Sequence, residues 1–249
     1  MHPDLHVISP DEFAFRDTRF RVISSDYHQY KTTENEIIIL KDIRWFEYYA
    51  QLIRDLEIKN LVELGIFEGG STILFSLLFD WLNITAIDLR QPDQAVLDHI
   101  DRLGLNDRVH LFYGTSQDDR AAIDRALDSV YGNNAIDMVV DDASHLYQQT
   151  RASFEILFPR LRYRGVYVIE DWAWAHWQGV FQNEQWIDMP ALSNLAFELT
   201  MLLGSRPDLL DRVDIRGGTV AAFKNGAAPL PDFKLSEAYL MRGKQLPLI

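Results

Sequence analysis

Residues 60–72 read Asn-Leu-Val-Glu-Leu-Gly-Ile-Phe-Glu-Gly-Gly-Ser-Thr: an apolar run of strand length, a turn with glycines at 65, 69 and 70, and the start of a helical pattern. Glycine at such a turn adopts backbone angles closed to other residues and lets main-chain amides approach a ligand at the helix N-terminus. The same glycines also suit a tight strand-to-helix connection that holds nothing. Their spacing departs from Gly-x-Gly-x-x-Gly, which counts against a nicotinamide dinucleotide and an NAD-dependent oxidoreductase.

On the C-terminal side of this stretch, apolar runs of strand length alternate with amphipathic segments. The pattern predicts a Rossmann-like, doubly wound α/β fold with a mainly parallel sheet. Strands are expected at 60–64, 84–87, 109–113, 136–140 and 166–169, with helices near 71–81, 94–103, 117–127 and 148–160 between them. A helix over 192–203 and an antiparallel edge pair at 213–216 and 219–224 complete the core. On the N-terminal side, Ile39, Ile43, Phe46, Tyr49 and Ile53 recur at helical spacing and predict one or two helices over 36–56. Residues 1–35 read as an irregular arm or lid. The expectation is a single domain: arm and helices over 1–56, core over 57–225 and tail over 226–249.

The chain has 249 residues, 47% of them hydrophobic, so a large core is available. Its formal charge of −13 repels phosphate backbones and anionic headgroups, so neither nucleic acid nor membrane is expected as a partner. The absence of cysteine excludes disulfides, thiolate metal sites and a cysteine nucleophile. The first sixteen residues lack the apolar stretch of a secretory signal, and the longest apolar run, 73–82, is broken by Asp80 and too short for a membrane helix. A cytoplasmic enzyme is expected.

Ligands of this fold bind beyond the C-terminal strand ends, so the residues following each strand are the candidates. Asp88 ends the second strand about twenty residues beyond the glycine turn, where a carboxylate accepts from the two ribose hydroxyls of an adenosine. It also reads as a solvated strand end. Ser116 and Gln117 follow the third strand and border an adenine or cap the next helix. In order after three successive strands, these features favour an adenosyl ligand. At the other rim, Asp141, Asp142 and His145 follow the fourth strand, and Glu170 and Asp171 the fifth. Four carboxylates crowded together are costly unless a cation or protons neutralise them, and Mg2+ suits oxygen ligands. Helix capping, or pairing with Arg151 and Arg162, would account for one or two of them, Asp141 above all.

With these motifs in view, the sequence resembles the class I S-adenosylmethionine-dependent O-methyltransferases. Residues 63–72 resemble their first motif. Asp137-Met-Val-Val-Asp-Asp-Ala-Ser-His145 with Gly165-Val-Tyr-Val-Ile-Glu-Asp171 is similar to the macrocin and mycinamicin sugar O-methyltransferases and the cephalosporin hydroxylase-type family. Ala143 stands where many relatives carry glycine. The resemblance covers about residues 60–175 and implies S-adenosylmethionine as methyl donor. Glu63, Gly65, Phe67, Gly69, Ser71, Asp88, Ser116, Gln117 and Asp141 would surround that donor. It implies Mg2+ on Asp142, Glu170 and Asp171, and His145 as general base toward a hydroxyl of a small molecule, a sugar or polyol moiety of a secondary metabolite. The resemblance also implies a homo-oligomer, although no segment marks an interface. A non-catalytic donor-binding or scaffolding relative stays open. After Asp171, four of the six tryptophans fall within 172–186, together with His176 and Phe181. They suit either a wall around the acceptor or the packing of an extra segment on the core.

Overall fold

The computed structural model describes residues 4–41, 43–132, 134–228, 232–245 and 247–249. Contacts divide the chain into two compact units, 1–115 and 116–249.

The first unit opens with a sheet where an irregular arm and helices were expected. Its strands are β1 (Leu5–Ser9), β2 (Glu12–Phe15), β3 (Thr18–Val22) and β4 (Ile37–Ile39), in that order across the sheet. The first two pairings are antiparallel and β3–β4 is parallel. The cause lies in a period of two: Phe13, Phe15 and Phe20 are buried, while Arg19 and Arg21 point outward to Glu12 and Glu36. Arg16, at φ 52°, makes the turn between β2 and β3. Helix α1 (Ile43–Asp55) therefore begins later than 36, because the buried Ile37–Ile39 run is spent on a strand.

There follow β5 (Asn60–Leu64), α2 (Gly70–Leu78), β6 (Asn83–Ile87), α3 (Gln94–Arg102) and β7 (Val109–Phe112). The three strands are parallel and lie in the order β5-β6-β7. Helix α3 starts on Asp93, whose side chain accepts from the Ala95 amide at 2.9 Å. Helix α2 packs against β4 so closely that a Cβ on Gly70 would lie 2.3 Å from the Ile38 carbonyl oxygen.

The second unit comprises α4 (Arg120–Tyr131), β8 (Ile136–Asp141), α5 (Tyr147–Leu157), β9 (Leu161–Glu170), α6 (Glu184–Ile187), α7 (Ser193–Ser205), β10 (Leu210–Ile215), β11 (Thr219–Lys224) and α8 (Leu235–Ala238). The strand order is β10-β11-β9-β8, with β8 and β9 parallel and β11 antiparallel to both its neighbours. The expected antiparallel edge pair is thus present. Every residue of β8 is buried, as a parallel strand covered on both faces requires. Helix α4 begins at Arg120 and not near 117, because Asp119 supplies the cap by accepting from Ala122 N at 3.0 Å. Ser116 instead donates to Asp118 at 2.5 Å. Among the described residues no helix is long and apolar enough to cross a membrane.

Candidate active site and metal group

In the first unit, β5 delivers Glu63 and Leu64 into the glycine turn. Gly65 (φ 92°), Phe67 (φ 50°) and Gly69 (φ 78°) all take left-handed backbone angles. Such a conformation costs a residue with a Cβ about 1–2 kcal/mol, so a phenylalanine there marks a turn held by its surroundings. Asp88 does much of the holding. Its Oδ2 accepts from the amides of Ile66 (2.8 Å) and Phe67 (3.0 Å), and its Oδ1 from Arg90 N (2.7 Å). The sequence placed Asp88 beside a ligand; the structure brings it to the same turn through backbone amides. Glu63 is buried and accepts from Thr72 Oγ1 at 2.5 Å, while Ser71 lies in the first turn of α2, also buried.

Glu68 had no part in the sequence reading. It is fully buried and accepts from Lys31 Nζ (2.8 Å), Thr32 N (2.9 Å) and Arg90 Nη2 (3.1 Å), while Thr32 Oγ1 donates to its carbonyl at 2.7 Å. The segment before β4 is thereby strapped to the glycine turn. No local sequence signal announces this, because Lys31 and Glu68 are 37 residues apart and both read as ordinary surface charges.

In the second unit, Asp141 ends β8 as a buried hub. Its carboxylate accepts from Ser153 Oγ (2.5 Å), Tyr167 OH (2.6 Å) and Gln117 Nε2 (3.2 Å). Burial pushes its pKa up to about 6, against the lowering effect of those hydroxyls and of the neighbouring His145. The same burial and the Asp141 charge hold the Tyr167 hydroxyl well above its ordinary range. Gln117 spans two roles, since its Oε1 accepts from Ser144 N at 2.9 Å and so pins the loop after β8.

That loop and the one after β9 bring Asp142, His145 and Asp171 together. One potential ligand atom from each lies within 4.8 Å of the others. His145 Nε2 is 3.7 Å from Asp142 Oδ1 and 4.0 Å from Asp171 Oδ2, and the three side chains keep 22–33% exposure, so a solute reaches them. Donors to one Mg2+ each lie about 2.1 Å from it, hence at most about 4.2 Å apart. The two separations from the imidazole fall inside that limit, and two carboxylates suit a hard cation, so the donor chemistry of this set fits a divalent ion. Glu170, at the end of β9, is buried and outside this group. His145 (φ 56°) and Asp171 (φ 51°) are both left-handed.

The aromatic segment divides in two. Trp174 is buried; its indole ring lies 5.6 Å from that of Phe181 and 5.4 Å from that of Trp186, and its Nε1 donates to the His145 carbonyl at 2.7 Å. Trp177 and Val180 are exposed. The stretch therefore combines packing at Trp174 with exposed side chains at Trp177 and Val180.

Residues 62–172 match the model of a methyltransferase domain family. Over 147 residues the chain is 31% identical to mycinamicin VI 2''-O-methyltransferase of Micromonospora griseorubida, a match covering 55% of this chain and 34% of that protein. It is similar to the structure of MycE methyltransferase from the mycinamycin biosynthetic pathway, in complex with Mg and SAH. That match has a TM-score of 0.55 and 25% identity and covers 75% of this chain and 51% of that one. The O-methyltransferase TomG from Streptomyces achromogenes, in complex with SAM, matches with a TM-score of 0.54 at 19% identity, covering 75% and 82%. The fold is that of the class I methyltransferases. Within that class the chain resembles O-methyltransferases of macrolide pathways, and it spans only 34% of the length of the curated relative above.

Proposed function

We propose that this protein is an S-adenosylmethionine-dependent O-methyltransferase that works with Mg2+ on a hydroxyl of a small molecule, a sugar or polyol moiety of a secondary metabolite. The observation that carries this reading is the convergence of Asp142, His145 and Asp171 from the ends of two parallel strands. The substrate class rests on the names of the relatives and on the exposed Trp177, whose ring offers a face to a sugar.

In this reading the donor is bound by the strapped turn that carries Glu63, Gly65, Phe67, Gly69 and Ser71, with Asp88 organising its amides. Ser116 and Gln117 serve the adenosine end, and Asp141 fixes Gln117. Asp142 and Asp171 hold the cation, and Glu170, expected from the sequence to join them, is left out of the set because it is buried outside this group. Mg2+, when bound, supplies the positive charge that lowers the pKa of the acceptor hydroxyl. His145 takes the hydroxyl proton on an imidazole nitrogen, acting as general base. The acceptor oxygen bonds to the methyl carbon as the donor's C–S bond breaks, and S-adenosylhomocysteine leaves. Left-handed backbone at both His145 and Asp171 aims the two side chains at the same point, so positioning supplies much of the rate.

Methyl transfer to demethylated glycosides, assayed before and after EDTA treatment, tests the reading. Activity is expected to vanish with the chelator and to return with Mg2+. Full transfer by metal-free protein would overturn the metal's role, and failure to bind S-adenosylhomocysteine in calorimetry would overturn the donor's.

A further inference from the structure

We propose that Trp174 is the positioning residue that sets His145 against the two carboxylates. This inference rests on the reading of Asp142, His145 and Asp171 as the working group.

A histidine at φ 56° needs an external hold, since the left-handed region is unfavourable to any residue with a Cβ. The hold comes from outside its own loop: Trp174 Nε1 donates to the His145 carbonyl at 2.7 Å. An indole has one polar atom, and a buried indole N–H must find an acceptor. Trp174 is 4% exposed, so the donor side of the bond to His145 is buried. The same residue closes the turn at the other ligand loop, because its backbone N donates to the Asp171 carbonyl at 3.2 Å. Asp171 is anchored in turn by its own amide on the Gly218 carbonyl at 2.9 Å. One side chain and one amide of Trp174 therefore tie the loop after β8 to the loop after β9. The 3.7 and 4.0 Å separations about the imidazole depend on that tie. The ring contacts with Phe181 and Trp186 keep the indole in place, which gives the buried part of the aromatic segment a purpose beyond filling space.

The test replaces Trp174 by Phe, which keeps a ring and removes the N–H, and compares it with Phe181→Leu, which loosens the packing and keeps the N–H. The imidazole cross-peaks of His145 are read in nitrogen–proton spectra of metal-free protein, assigned by their loss in His145→Gln. Mn2+ affinity is measured by calorimetry. In Trp174→Phe the His145 peaks are expected to move or broaden while those of the other histidines stay, and Mn2+ affinity to fall about tenfold, because the loops that carry Asp142 and Asp171 lose the tie between them. Phe181→Leu should lower the melting temperature without either effect. Should Trp174→Phe not fold, benzothienylalanine inserted at 174 keeps the bicyclic shape and replaces the N–H by sulfur. Wild-type His145 peaks in a folded protein lacking that N–H would overturn the inference. Wild-type protein that binds no Mn2+ would instead sink the metal reading, and the histidine peaks would still decide the role of Trp174.

Discussion

Gly70→Ala tests the link between the N-terminal sheet and the glycine turn. Gly70 has an ordinary backbone conformation, so alanine meets no strain in φ. The obstacle is space: an added methyl would lie 2.3 Å from the Ile38 carbonyl oxygen, 2.4 Å from Ile39 Cγ1 and 2.9 Å from Ile39 Cα. An ordinary carbon–oxygen contact is about 3.3 Å, so β4 has to retreat by roughly 1 Å. Inserting a methyl into a packed site costs about 1–3 kcal/mol, and more when backbone must move. Better helix propensity returns at most about 1 kcal/mol. Because backbone must move here, the cost is at least the upper figure, so the net loss is about 2 kcal/mol or more, a melting temperature lower by at least roughly 4–8 °C. The displacement also reaches the turn, because Ile38 N donates to Thr32 Oγ1 at 3.1 Å and Thr32 in turn binds Glu68. Scanning calorimetry and S-adenosylhomocysteine titration should show lower stability together with weaker donor binding. A variant that melts at or above the wild-type temperature would refute the argument that β4, and not a ligand, excludes a side chain at position 70.

Asp88→Ala removes the acceptor of three backbone amides and is expected to weaken S-adenosylhomocysteine binding at least about tenfold while lowering stability by about 1–3 kcal/mol; unchanged affinity by calorimetry would take Asp88 out of the donor site. His145→Gln is expected to cut single-turnover methyl transfer by about 10²–10⁴ while Mn2+ still binds, and loss of the metal along with turnover would make His145 a ligand and not the base. Lys224 tests burial at a distance from the site. Its ammonium donates to the Pro159 and Leu161 carbonyls, and burial pushes its pKa down to about 8. The unfolded chain keeps its lysine protonated up to about pH 10.5, so between pH 8 and 10.5 the unfolded state binds more protons and this group's contribution to stability rises with pH. Wild type should therefore gain up to about 3 kcal/mol on Lys224→Met across that window in urea melts, and a pH-independent difference between the two would contradict the burial argument.

The run from Asn60 to Leu64 and the strands after it were legible because a buried parallel strand needs a continuous apolar run, which short-range pattern reveals. The glycine turn and the acids after the fourth and fifth strands were legible for a related reason: in a doubly wound sheet, chain order alone places strand ends on one rim. The N-terminal sheet was not read, although Phe13, Phe15 and Phe20 alternate with charges. Its strands are short, and the buried Ile37–Ile39 run fits a helix or a strand equally until its neighbour β3 is known. What the sequence by itself determined was the α/β class, the strand order along the chain and the residue types gathered at each strand end, since these follow from local periodicity and connectivity. Which of those acids face one another was decided only by tertiary structure. Asp141 turns inward to Ser153 and Tyr167, Glu170 is buried, and Asp142 and Asp171 meet at His145. Successive residues at a strand end point to opposite sides, and the left-handed angles at His145 and Asp171 that re-aim them are held by partners distant in the chain, Trp174 and Gly218, which no local pattern encodes.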